Sequence, residues 1–155
     1  MAKESGNNNL LIIAAVVVGY LLYTGQIQLP NPSTPVVPVL VVPADLAVVA
    51  EPIKAIASRN PVVAKEAGKA YQDFKDVVLR DEKRIVTTED LRRAIQAFEE
   101  LLWVKTNAVG ALPGFSAQAS QVVATAIGKE VVPLDAAKRV RAGQALDAIS
   151  QSLGA

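Results

Sequence analysis

The chain has 155 residues, a formal net charge of +1, 51% hydrophobic residues, and neither cysteine nor histidine. This composition excludes a disulfide, a thiolate nucleophile, a zinc site built from Cys and His, and catalysis by an imidazole base. The balanced and interleaved charges also disfavour nucleic-acid binding, which normally uses a one-sided basic patch.

Charge divides the chain into two parts. The 40 residues between Glu4 and Asp45 include no Asp, Glu, Lys or Arg, whereas Asp45 to Ala155 carries 15 basic and 14 acidic side chains. The second part is long enough to bury a hydrophobic core. We therefore expect a polar tail over 1–9, an uncharged arm, and a folded body over 44–155.

The first part of the arm, residues 10–29, is predicted to be a membrane-spanning helix. Its strictly apolar run, Leu10 to Tyr23, would cover only about 21 Å as a helix. Continuing the helix to Leu29 reaches the roughly 20 residues that cross a bilayer. The two tyrosines would then lie toward the interface. The predicted anchor residues are Leu10, Leu11, Ile12, Ile13, Val16, Val17, Val18, Tyr20, Leu21, Leu22 and Tyr23.

Apolar runs of this length also occur in signal peptides, lipoproteins and buried helices. A cleaved signal peptide is disfavoured because Lys3 is offset by Glu4 and no Ala-x-Ala-like site follows the run. A lipoprotein is excluded by the lack of cysteine. A helix buried in a lipid-free protein assembly remains open, since a 14-residue apolar core permits it.

The second part of the arm, residues 30–43, is predicted to be an extended strut. Its five prolines prevent helix and regular sheet, and in polyproline II form it would span roughly 40 Å. A free spacer would leave its aliphatic side chains in water. We therefore expect either the chain's own body or a neighbouring subunit to cover them. The predicted partner contacts are Val36, Val37, Val39, Leu40, Val41 and Val42, together with Trp103 in the body.

The body is predicted to be a small all-α bundle of four to five helices. A first helix runs from about Ala44 to Ser58, with Pro52 kinking or splitting it. A second starts at the N-cap Asn60 with Pro61 in its first position. Its apolar positions follow helical spacing. They are Val63, Ala67, Ala70, Tyr71, Phe74, Val77 and Val78.

Three more helices are predicted further along the chain. One is capped by Thr87 or Thr88 and buries Leu91, Ala94, Ile95, Phe98, Leu101 and Leu102. Another runs from about Phe115 to Ile127 and ends at Gly128, with Ala119, Val122, Val123 and Ala126 inward. The last follows Pro133, takes Asp135 as its cap and runs to about Leu153 through Ala137, Val140, Leu146 and Ile149. The short connections favour antiparallel neighbours.

Few residues in the body suggest chemistry. Adjacent acids occur at Asp81 and Glu82, at Glu89 and Asp90, and at Glu99 and Glu100, but neighbours on a helix point about 100° apart and do not converge. Helix capping and solvated faces account for these pairs. Trp103 suits core or interface packing. We expect no catalytic residue, cofactor, metal or small-molecule substrate.

A basic cluster at the start of the last helix is the one candidate charged surface. It consists of Lys138, Arg139 and Arg141. A solvated helix face is the simplest interpretation of this cluster. The functional alternative is contact with an acidic partner or with lipid head groups.

Parts of the body resemble a known group of proteins. The segment from Tyr71 to Val78, the helix start "IVTTEDLRRA" and the stretch "VPLDAAKR" are similar to those of small, mostly uncharacterised single-span helical proteins of bacteriophage and phage-like gene clusters. The likeness covers about the last 90 residues. It implies a phage context and a helical body, and it transfers no functional residue.

Together these features favour a non-enzymatic, membrane-anchored structural protein, such as a minor capsid or membrane-associated component of a phage virion. Its partners would be membrane lipid, neighbouring capsid subunits or further copies of itself. The alternative is a membrane-active phage protein, either a single-span holin or a component of a DNA-ejection channel. Polar residues along one face of the span would favour that alternative, and Leu10 to Tyr23 has none.

Overall fold

The computed structural model of the chain describes residues 41–105 and 112–155. Within these two ranges the chain is an all-α bundle without a β-strand, apart from an isolated bridge between Thr87 and Pro133. The helices are α1 (Ala44–Ala57), α2 (Pro61–Val78), α3 (Thr88–Lys105), α4 (Phe115–Ile127) and α5 (Ala136–Ser152).

The helix starts follow the local signals in the sequence. The Asn60 side chain accepts a hydrogen bond from the Val63 amide at 3.4 Å, and Asp135 accepts one from the Lys138 amide at 2.8 Å. Thr87 and Asp90 cap α3 reciprocally, because Thr87 Oγ1 accepts from the Asp90 amide while Asp90 accepts from the Thr87 amide. The predicted N-caps of α2 and α5 are confirmed, and Thr87 is the cap of α3.

Helix α1 passes through Pro52 without interruption, so the predicted split does not occur. Proline has no amide hydrogen and leaves one carbonyl of the preceding turn without its helical partner. Pro52 is exposed, which allows water to hydrate the carbonyl that it leaves free.

Helix α5 is the centre of the bundle and packs against α1, α2 and α4. All six residues from Ala145 to Ser150 are buried. Six consecutive residues point to all sides of a helix, so this part of α5 is surrounded by its neighbours, and the buried polar residues Asp147 and Ser150 are paired with α2. Helix α3 packs on α2. The largest fully buried side chains include Tyr71, Phe74, Phe115, Leu146 and Ile149.

The start of α5 differs from the prediction. Ala137 and Val140 were expected to face inward, but both are exposed. At this level the inward side of α5 is occupied by Arg139, which donates hydrogen bonds to the Leu79 and Ile85 carbonyls. The core contacts of α5 begin at Ala142, which is buried.

The end of the bundle where α1 begins is called the arm end below. Three sets of contacts define it. Asp45 pairs with Arg141, which joins the starts of α1 and α5. Arg139 joins the end of α2 to α5. The Thr88 amide donates to the Val132 carbonyl at 2.9 Å and so joins the start of α3 to the loop after α4.

The predicted span over 10–29 and most of the strut lie outside the described residues. In residues 41–105 and 112–155, no helix has the length and apolar character that crossing a membrane requires. Val41, at the end of the strut, is exposed, whereas Val42 is half-buried against the core.

Candidate functional site

One cleft of the described body lies between α3 and α4 and has a volume of about 480 Å³. These two helices follow each other in the chain. The side of the cleft that α4 forms carries small residues. Ser116, Ala117 and Ser120 form the α4 wall, and the α3 wall carries mainly polar side chains. The lining of the gap is therefore mainly polar, and Ile95 and Val123 add apolar surface to it.

Glu99 lies at the bottom of this cleft and is only 8% exposed. Its carboxyl accepts hydrogen bonds from the Tyr71 hydroxyl and from the Ser116 side chain. Burial raises the pKa of Glu99, and the two hydrogen bonds oppose that rise because they stabilise the carboxylate. The expectation that Glu99 lies on a solvated face was wrong, since α2 and α4 cover this side of α3.

Tyr71 holds Glu99 from the side of the core. Its ring contacts Phe98 edge-on at 4.9 Å and Phe115 at 5.8 Å between ring centroids. Burial, followed by the neighbouring Glu99 carboxyl, raises the pKa of Tyr71 well above its ordinary value. The hydroxyl therefore stays protonated and serves as a fixed donor.

Trp103 continues the same aromatic cluster. It is half-buried and meets Phe115 edge-on at 5.4 Å between centroids. We expected Trp103 to pack in the core or at an interface. The ring packs against the core and is partly exposed. Contact of its exposed part with a partner stays a prediction.

The charged groups at the rim of the cleft are occupied by partners within the chain. Arg92 donates to the Gly128 carbonyl at the end of α4. Arg93 pairs with Glu89 at 3.1 Å. Gln96 donates to Glu100 at 3.2 Å. Only the Arg92 contact joins α3 to the end of α4, and the other two lie within α3.

Glu99 is the titratable side chain that is buried in the cleft, and it can take up or release a proton. Its neighbour Ser116 could act as a nucleophile only if a base removed the proton of its hydroxyl, and the imidazole that does this in a catalytic triad is absent from the chain. In the described part of the chain, no three acidic side chains are grouped so that they could hold a metal ion. Nor does any buried side-chain nitrogen or oxygen there lack a hydrogen-bond partner.

Two of the three pairs of adjacent acids lie on α3, as expected for a helix, whereas Asp81 and Glu82 lie in the turn after α2 and not on a helix. Asp90 accepts from the Val86 and Thr87 amides, and these bonds outweigh burial and lower its pKa. Asp81 accepts from the Arg84 amide. Glu100 is exposed whereas its neighbour Glu99 is buried. No pair shares one site.

The predicted basic patch has a partner for each of its cations. Lys138 lies 3.5 Å from Asp135, and Arg141 lies 2.5 Å from Asp45. Arg139 donates to two main-chain carbonyls. These contacts favour a structural role for the cluster, and its contact with lipid or an acidic partner stays a prediction.

A second groove lies between α2 and α5 at the arm end and has a volume of about 470 Å³. Its rim carries the buried ion pair between Lys75 and Asp147, which are 2.6 Å apart. Leu79, Val140 and Gly143 contribute its apolar part. Sequence reasoning missed this groove, because Val140 was expected to point into the core.

Comparison of the chain with protein-family models, with curated proteins and with solved structures finds no match.

Proposed function

We propose that this protein is a non-enzymatic structural component that tethers a helical body to a membrane or a protein shell, and that it serves as a minor component of a bacteriophage virion. In this proposal residues 10–29 form the anchor, residues 30–43 form an extended strut, and the bundle contacts neighbouring subunits. The phage context rests on the resemblance of "IVTTEDLRRA" and "VPLDAAKR" to phage proteins.

The observation that carries the proposal is the direct junction between strut and body. Val42 packs against the core, the Pro43 carbonyl accepts a hydrogen bond from the Ala47 amide at 3.0 Å, and α1 begins at Ala44. No flexible linker separates the last proline from the first helical residue. A rigid junction of this kind suits a tether that fixes the position of the body.

The interior of the body supports a structural role. The cleft acid Glu99 is held by two donors, and the rim arginines bind carboxylates or carbonyls of the same chain. Polar groups engaged in this way stabilise one shape.

The anchor is tested by fractionation of the full-length chain expressed in bacteria. We expect the chain to sediment with membranes and to need detergent for release. Val17→Arg places a charge at the centre of the span, at a cost of about 2.5–3.5 kcal/mol, and should move the chain to the soluble fraction. Val48→Arg, on an exposed position of the body, is the matched control and should stay in the membrane. Sedimentation of both variants alike would contradict an anchor at 10–29.

The virion role is tested by mass spectrometry of particles purified from cells that carry the gene in its native cluster. We expect the chain in the particles at a fixed copy number, and its absence would refute this part of the proposal. Release of dye from vesicles by the purified chain, together with killing of cells on expression, would instead establish the membrane-active alternative.

A further inference from the structure

The arm end of the bundle gathers most of the exposed apolar side chains of the described residues. Five of the six large hydrophobic residues that are exposed lie there, although they belong to different helices and loops: Val41, Val48, Val86, Val131 and Val140. The sixth, Val62, lies at the opposite end of the bundle. Single exposed valines are ordinary in soluble domains. Their concentration at one end places exposed apolar side chains around the point where the N-terminal segment joins the body.

The groove between α2 and α5 gives this surface a shape that can receive a chain. The two helices approach closely at their other end, where Ser150 Oγ donates to the Gly68 carbonyl at 2.7 Å. Toward the arm end they leave the groove open over Leu79 and Val140. A Cβ added to Gly143 would lie 3.2 Å from Leu79 Cδ1, so the glycine lets the Leu79 side chain lie close against α5 beside the groove.

The charges that line this groove balance, because the cations Lys75, Arg80 and Arg139 are matched in number by the anions Asp76, Glu82 and Asp147. Lys75 and Asp147 pair with each other, and Arg139 is engaged with the Leu79 and Ile85 carbonyls. A charged ligand would have to separate an ion pair that is already largely desolvated. An aliphatic segment would gain from the contact with Leu79 and Val140 without disturbing it.

We propose that residues 36–40 of the same chain, "VVPVL", lie in the groove between α2 and α5. The segment is uncharged and directly precedes the described residues, which start at this end of the bundle. The pair between Asp45 and Arg141 places the start of α1 beside α5, one residue from Val140. Residues 41–43, which connect this segment to α1, reach about 9 Å when extended, close to the usual distance of about 8–10 Å between packed helix axes. The connection is therefore long enough to bring the segment to the side of α5 that carries the groove.

This inference explains why the strut is aliphatic, and it does not depend on the membrane anchor. Fractionation tests the membrane anchor, and cross-linking tests whether the segment lies in the groove. Either proposal can therefore be refuted while the other stands.

The test uses the absence of cysteine in the chain, which makes any introduced pair unique. Val37→Cys, Val39→Cys and Leu40→Cys are each combined with Val140→Cys in the full-length chain in detergent and treated with a short bis-maleimide. The matched control replaces Val140→Cys by Val131→Cys, which lies at the same end of the bundle but does not line the groove. Both valines are similarly exposed, at 62% and 65%, so their thiols should react equally well with a free maleimide.

We expect a cross-linked monomer with Val140→Cys at several times the yield of the Val131→Cys control, for at least one of the three arm positions. Equal yields with the two body positions would overturn the proposal, as would no cross-link with Val140→Cys. A cross-linked dimer in place of the monomer would assign the groove to the strut of a second copy and would also overturn it. Melting curves of the uncross-linked variants confirm that each one is folded.

Discussion

Ser150 Oγ donates a hydrogen bond to the Gly68 carbonyl at 2.7 Å, which brings α5 onto α2 at a position where α2 has no side chain. A Cβ at Gly68 would lie 3.0 Å from the Ser150 carbonyl oxygen and 2.6 Å from Ala155 Cβ. The first of these is backbone of the central helix and cannot move without shifting the bundle. The contact therefore fixes the spacing of α2 and α5.

Gly68→Ala is expected to destabilise the bundle. Overpacking of a close contact costs about 1–3 kcal/mol, which outweighs the gain of about 1 kcal/mol in helix propensity. Gly143→Ala is the control, because its new methyl group would meet only the end of the Leu79 side chain. Chemical denaturation of the two variants measures the difference. Equal stability of Gly68→Ala and the parent would contradict the close approach.

Lys75→Met is expected to destabilise the protein by about 3 kcal/mol, because it leaves Asp147 buried without its partner. The Asp147 side chain is 8% exposed in this pair. The pair between Lys54 and Glu51 has nearly the same distance, 2.7 Å, but its side chains are 59% and 64% exposed. Lys54→Met should therefore cost less than about 1 kcal/mol. Denaturant melts of both variants test whether burial or distance decides the effect.

Glu99→Gln is expected to raise the melting temperature at pH 7 by a few degrees. Because burial raises the pKa of Glu99, the folded state favours the protonated acid, and the stability that this gives is present at low pH and is lost as pH rises through the folded-state pKa. Glutamine keeps an acceptor for Tyr71 and carries no charge.

The pH dependence separates this cause from simple repacking. The difference between Glu99→Gln and the parent should shrink as pH falls toward 4, where the parent is itself protonated. Glu100→Gln, the exposed neighbour, serves as control and should show a smaller difference. A Glu99→Gln variant that is less stable than the parent at pH 7 would contradict the assignment.

Arg139→Met is expected to destabilise the fold by about 1–3 kcal/mol, because the Leu79 and Ile85 carbonyls lose a charged donor. Lys138→Met removes a cation from the same cluster and should have little effect, since its partner Asp135 keeps the hydrogen bond from the Lys138 amide. Thermal melting compares the two. Equal effects would argue against the role of Arg139 in joining α2 to α5.

The local part of the fold could be predicted because its causes lie within a few residues. Each N-cap side chain accepts a hydrogen bond from the amide three residues later in the chain, at Asn60, Thr87 and Asp135. The apolar face of α2 follows the 3.6-residue period, and Tyr71 and Phe74 are buried as expected.

Burial that depends on distant segments could not be predicted in this way. Helix α5 is central, and its consecutive residues Ala145 to Ser150, which point to different sides of the helix, are all buried, so no single stripe marks its core face. Glu99 has the sequence context of a surface acid. Only the packing of Tyr71 from α2 and Ser116 from α4 makes it the floor of a cleft.

The junction at Pro43 has a mechanical consequence. Helix α1 packs along both α4 and α5 and begins directly after Pro43. A pulling force on the N-terminal segment therefore enters the body through α1. Traction along the axis of this helix would have to slide it past two neighbours at once, instead of detaching one residue after another. A helix loaded in shear across two interfaces is a suitable attachment point for a body that must stay in place under strain.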